Sequence, residues 1–125
     1  MNQHKANTFK DTLMAIRHPL RGLKVAFLTE TTLRLEIAVL VPLIPLAFII
    51  GYNTISQVLL ITSWLLVIIV ELINTAIETI VDRIGFEYHE LSARAKDIGS
   101  AAVLIAGTNA VITWVLFVIK FIYHH

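Results

Sequence analysis

The sequence predicts an all-α integral membrane protein, with three transmembrane helices and an N-terminal amphipathic helix lying on the membrane surface. Three observations carry this prediction. Hydrophobic residues fill 57% of the 125 positions and charged residues only 15%, where soluble domains carry about 25%. Mean hydropathy is +0.77. The apolar positions also gather into three runs long enough to cross about 30 Å of hydrocarbon. The length suits a single domain, residues 1–125. There is no cysteine, which excludes a disulfide framework and a thiolate metal site. Net charge is only +1, and no nucleic-acid partner is expected. No secretory leader is expected either: the first long apolar run begins near Leu35, and no small-residue cleavage site follows it.

Residues 8–34 place Phe9, Leu13, Ile16, Leu20, Leu23 and Phe27 at steps of three or four, with Lys10, Arg17, Arg21 and Lys24 between them. That spacing predicts a basic amphipathic helix in the headgroup layer, broken near His18-Pro19 because proline disrupts helix interiors. The first span is placed at 35–52, within an uncharged run from Ile37 to Gln57 that contains Pro42 and Pro45. Gly51-Tyr52-Asn53 is the clearest turn signal. The second span is placed at 56–81. A dense polar loop is expected over 82–97, and a third span over 98–120. Small residues recur in the third span (Gly99, Ser100, Ala102, Ala106, Gly107, Ala110), which suits close helix packing in lipid. Six Lys/Arg precede the first span, three lie in 82–97 and none lies in 51–57. By the positive-inside rule the N-terminus and the 82–97 segment face the cytoplasm and the C-terminus the periplasmic side.

The chemistry sits in the second span. Glu71, Asn74, Glu78 and Asp82 stand at offsets 0, 3, 7 and 11, so a helix puts them on one narrow stripe with Thr75 at its edge. Leu72, Ile73, Ile77, Ile80 and Val81 occupy the other faces. Glu71 lies about 16 Å along the axis from Asp82, and Glu78 only about 6 Å. An acid at mid-helix costs about 2.5–3.5 kcal/mol to insert, so the row needs a cation, a shared proton or a wet cleft. Protonated glutamates bonding between helices would give it a structural role. Two functional uses also fit. A carboxylate near the interface can hold Mg²⁺, a hard ion that prefers oxygen and phosphate. A deeper, desolvated one can act as general base on a lipid headgroup, oriented by Asn74. His89, Arg94 and Lys96 offer charge and donors for an anion.

Together these features point to phosphoryl transfer from a nucleotide to a lipid hydroxyl. Neither a Gly-x-x-x-x-Gly-Lys-Ser/Thr loop nor a kinase Gly-rich loop is present, so the phosphate cradle must be of another kind, such as one shared between subunits. The same carboxylates also fit a small oligomeric ion or proton pathway, or a purely structural membrane protein. Glu36, just inside the first span, reads equally as a site residue or a snorkelling interface charge. Trp64, Trp114 and Tyr123 read as interface anchors or packing. A metal role is not expected for the terminal pair His124 and His125.

Glu71-Leu-Ile-Asn74-Thr-Ala-Ile-Glu78, then Val-Asp-Arg-Ile-Gly, then Glu87-Tyr-His-Glu-Leu-Ser-Ala-Arg-Ala-Lys96-Asp97-Ile-Gly-Ser-Ala-Ala, closely resembles the small integral-membrane diacylglycerol kinases of bacteria. A weaker match extends to Gly22-Leu23 and Glu30. The resemblance implies a homotrimer of three-span subunits in the bacterial inner membrane, with active sites shared between neighbours. It implies Mg²⁺- and ATP-dependent phosphorylation of diacylglycerol to phosphatidic acid. Residue by residue, it makes Glu71 the general base at the lipid substrate and Asn74 a site asparagine. Glu30 and Glu78 become Mg²⁺ ligands that also face the nucleotide. Glu87, His89, Lys96 and Asp97 become nucleotide-binding residues, and Ser100 a lipid-side residue. His18 stands where the family often has a nucleotide-contacting tyrosine. Asp11, beside Lys10, stands where it often has a substrate-side arginine. His18 is therefore assigned to the nucleotide and Lys10 to the substrate. Relatives with the same Glu-Asn-Glu core phosphorylate undecaprenol; the Glu-Tyr-His-Glu-Leu-Ser-Ala-Arg segment is closer to the diacylglycerol enzymes.

Overall fold

Four helices make up the chain: α1 (Asn2–Thr29), α2 (Thr31–Ile50), α3 (Thr54–Ile84) and α4 (Glu90–Tyr123). The structure, a computed structural model, describes the backbone of residues 2–124 and the side chains of 8–124; the Lys5 side chain and His125 lie outside the described residues. Helices α2, α3 and α4 are each long and apolar enough to cross a membrane, with hydropathies of 2.3, 2.2 and 2.2. The chain forms two units, Met1–Thr31 and Thr32–His125.

In the first unit α1 runs unbroken through Pro19. This corrects the break expected at His18-Pro19. Proline removes one hydrogen bond and crowds the carbonyl four residues back, here Ala15. Every described residue from Thr8 to Val25 is exposed, so that carbonyl stays open to water or headgroups and the helix continues. The helix ends at Thr29, whose hydroxyl donates to the Val25 carbonyl at 2.8 Å. Glu30 is non-helical, although its N–H still donates to Ala26 O at 2.8 Å. Thr31–Arg34, expected to close the surface helix, instead form the first turn of α2.

In the second unit a three-residue turn joins α2 to α3. Asn53 caps α3: its Oδ1 accepts from Ser56 N–H at 2.8 Å, and its own N–H donates to Ser56 Oγ at 3.0 Å. This reciprocal pair satisfies two amides that a helix start leaves open. Gly51 is buried, and a Cβ there would meet Ala47 O and Gln57 Cγ, both at 2.6 Å. The turn is therefore tight because residue 51 has no side chain.

Five residues, Gly85–His89, connect α3 to α4, which makes the two helices antiparallel neighbours. The polar stretch 82–97 is thus mostly helical. Asp82–Ile84 finish α3, and Glu90–Asp97 open α4. Dense charge reports water, and a helix projecting beyond the hydrocarbon meets water as well as a loop does. An Arg94–Glu90 pair at 3.7 Å, one turn apart, decorates that projecting turn.

Paired contacts run the length of α3 and α4. Trp114 Nε1 donates to Leu60 O at 3.1 Å. Val67 packs with Ala106 and Ala110, flanked by Trp64 and Val70. Gly99 faces Asn74. Lys96 Nζ meets Asp82 Oδ1 at 2.8 Å. Of the small residues singled out in the sequence, Gly99, Ala106 and Ala110 are buried, while Ser100 and Ala102 stay exposed. Helix α2 is tied to α3 by Trp64 Nε1, which donates to Glu36 O at 2.8 Å. Outward positions are apolar, with Ile73, Ile80 and Leu104 all more than half exposed, as lipid or a second copy requires.

Candidate functional site

The stripe on α3 grades from buried to wet along the helix. Glu71 is 8% exposed and Asn74 7%, whereas Glu78 and Asp82 are half-buried. The helical repeat sets their common face, and α4 seals the Asn74 level through Gly99. Asn74 Nδ2 faces Glu78 Oε1 at 3.5 Å, at the limit of a hydrogen bond. The sequence reading has Asn74 orienting Glu71; the structure shows its amide facing Glu78, four residues on along the same face. Its Oδ1 is buried with no hydrogen-bond partner among the described residues.

Glu36 joins this cluster. It is 9% exposed and its Oε2 likewise has no partner. That argues against a snorkelling charge, since a snorkelling carboxylate would reach water. The Trp64 indole pins the Glu36 carbonyl, and helix side chains lean toward their own N-terminus. In α2, antiparallel to α3, that lean carries the carboxylate toward the Glu71 level, within electrostatic range of Glu71. The available sequence signal was an acid inside a membrane run; its partner could be named only once α2 and α3 were in register.

The water-facing end holds most of the expected nucleotide residues. Asp82, Glu87, His89 and Lys96 line one cavity of about 260 Å³ at the α3–α4 connection. Lys96 is not a free cation, because its ammonium is paired with Asp82. Both groups remain partly exposed, so an incoming phosphate can compete for the lysine. His89 is the N-cap of α4, with Nδ1 accepting Leu91 N–H at 3.1 Å. The neutral ring then carries its proton on Nε2. Asp97 lies outside this cavity, in a neighbouring depression with Tyr88, Glu90 and Arg94. Ser100 is exposed on α4. Lys10 and His18 are exposed on α1, and Glu30 is half-buried at its end.

No group of three or more carboxylates, histidines or cysteines stands ready for a metal among the described residues. A closed protein cage is therefore not present in one subunit. Mg²⁺ rarely uses one: it keeps several waters and takes one or two carboxylates together with substrate phosphates. Glu78 fits that mode as a hard oxygen donor, half-buried, with the long amide contact to Asn74 and the Lys96 ammonium within electrostatic range.

A protein-family model described as prokaryotic diacylglycerol kinase matches residues 17–118. The diacylglycerol kinase of Escherichia coli (strain K12) is 51% identical over 107 residues, which cover 85% of this chain and 87% of that protein. The diacylglycerol kinase of Haemophilus influenzae is 47% identical over 111 residues, covering 89% and 94%. That of Pseudomonas aeruginosa is 43% identical over 105 residues, covering 84% and 85%. The matched segment contains the whole Glu71–Asp82 stripe and the α3–α4 connection, and the chain belongs to the prokaryotic diacylglycerol kinase family.

Proposed function

We propose that this protein is a membrane diacylglycerol kinase that transfers the γ-phosphoryl group of ATP to the free hydroxyl of diacylglycerol, yielding phosphatidic acid and ADP. The observation that carries this reading is Glu71, a buried carboxylate on a membrane-crossing helix with Asn74 and Glu78 in the next two turns, in a family of that description. A base at that depth is within reach of a lipid headgroup and remote from soluble substrates. Glu71 takes the hydroxyl proton as the hydroxyl oxygen attacks the γ-phosphorus. The bond from that phosphorus to the β–γ bridging oxygen breaks, and ADP leaves with the pair of electrons. Catalysis of this kind is mostly positioning and charge neutralisation.

Glu78 would be a Mg²⁺ ligand, and Glu30, by the family resemblance, is proposed as a ligand as well; the ion would supply charge neutralisation for the phosphate oxygens. Lys96, Glu87, His89 and Asp97 would bind the nucleotide, with His18 beside it and Lys10 and Ser100 on the lipid side. The 260 Å³ cavity lies below the usual range of about 300–1,000 Å³ for ligand pockets. Walls from a neighbouring chain would enlarge it, in keeping with the homotrimer with shared sites that the family resemblance implies. The Lys/Arg distribution supports a cytoplasmic N-terminus and α3–α4 connection in a bacterial inner membrane, with a periplasmic C-terminus.

The test is Glu71→Gln in detergent-solubilised protein. Turnover should fall by at least about a thousandfold, a loss at the lower-middle of what a general base supplies, while Mg·ATP binding persists. Near-wild-type turnover would remove Glu71 from the role of base.

A further inference from the structure

Gly99 on α4 stands against Asn74 on α3. A Cβ built on Gly99 would collide with Asn74 Oδ1; Asn74 Cγ follows at 3.3 Å and Ile77 Cδ1 at 3.9 Å. The asparagine amide therefore occupies the volume that any other residue's side chain would fill. Asn74 is 93% buried by its 7% exposure, and its Oδ1 has no partner among the described residues. With Oδ1 lodged over the glycine, the planar amide turns Nδ2 along α3 to Glu78 Oε1, 3.5 Å away.

We propose that Gly99 is a positioning residue for the metal–nucleotide carboxylate: by having no side chain it seats the Asn74 amide, which in turn orients Glu78. The proposal deepens the kinase reading and rests on it for the role of Glu78. Small residues on membrane helices commonly serve close packing alone, and two observations separate this case. The atom that Gly99 accommodates is the polar end of a site side chain, not backbone. By contrast, Gly107, two turns further along α4, has nothing within 4 Å of the position its Cβ would take. Because the clashing atom ends a flexible side chain, alanine at 99 would displace the amide rather than part the helices. Alanine also favours the helix itself.

The experiment compares Gly99→Ala, Asn74→Ala and the double variant as full-length protein in detergent micelles. The first readout is Mn²⁺ binding in the presence of a non-hydrolysable ATP analogue, followed by electron paramagnetic resonance. The second is the Mg²⁺ concentration for half-maximal phosphate transfer. Each single variant should weaken Mn²⁺ binding about tenfold, the lower range for loss of a group that orients a metal ligand. The double variant should bind no more weakly than Asn74→Ala, because no amide remains to be displaced. Wild-type Mn²⁺ affinity in Gly99→Ala would overturn the proposal. So would a further several-fold loss from Gly99→Ala in the Asn74→Ala background. If Gly99→Ala alone fails to fold, the double variant, relieved of the clash, decides by the same comparison. Failure of the kinase reading would look different: wild-type protein that transfers no phosphate to lipid while these Mn²⁺ shifts persist.

Discussion

Glu71 and Glu78 are seven residues apart on one helix face, yet their burial differs, and the proposed mechanism gives them different work. Glu71 is sealed among helices, while Glu78 keeps a half-open carboxylate next to the Asn74 amide. Substituting Glu78 by Gln removes an anionic oxygen donor but keeps the side chain's size. The expected result is a rise of tenfold or more in the Mg²⁺ needed for half-maximal activity, an effect on the order of that for altering a metal site. An unchanged Mg²⁺ dependence would count against Glu78 as a ligand. The sequence alone made this stripe legible, because acids in an apolar run have few explanations. It named Glu36 without settling its role and Gly99 only as a small packing residue, and it did not show the turn of Asn74 toward Glu78. Each of those depends on a neighbouring helix: Glu36 on Trp64, and Asn74 on Gly99.

At the scale of the element, hydropathy located the three crossing helices, and the helices α3 and α4 run beyond the apolar spans. Polarity over 82–97 read as a loop, whereas helix geometry persists to Ile84 and resumes at Glu90. The backbone does not need an apolar environment to stay helical, and it is the Asp82–Lys96 pair that closes the two ends together. Pro19 misled in the opposite direction, since α1 continues through it. The Gly51-Tyr52-Asn53 turn was read correctly because its signal is local. Its tightness gives an element-scale prediction. Gly51→Ala forces a methyl group to 2.6 Å from the Ala47 carbonyl and from Gln57 Cγ. It should destabilise the protein by about 1–3 kcal/mol, the range for overpacking. A lower midpoint in denaturant-induced unfolding is the expected result, and an unchanged midpoint would show that the turn can relax.

For the whole molecule, the arrangement is an α3–α4 pair with its polar site opening at one end, and apolar outer faces that leave room for lipid or for further copies of the chain. One chain carries the proposed base, the proposed metal carboxylate and a small polar cavity, but no closed nucleotide pocket among its described residues. Family membership fixes the class of chemistry, and the depth of Glu71 explains why the acceptor is a lipid. The Lys/Arg asymmetry supports the proposed cytoplasmic side for ATP entry. An ion pathway lined by the same carboxylates would need none of the polar cavity at the α3–α4 connection.

The central claim is that this protein moves phosphate from ATP to diacylglycerol. It is tested by following labelled γ-phosphate from ATP into lipid in mixed micelles that contain either diacylglycerol or undecaprenol, with purified wild-type protein and Mg²⁺. The account predicts rapid, Mg²⁺-dependent formation of labelled phosphatidic acid and much slower labelling of undecaprenol. Absence of labelled phosphatidic acid from folded protein, or preferential labelling of undecaprenol, would contradict it.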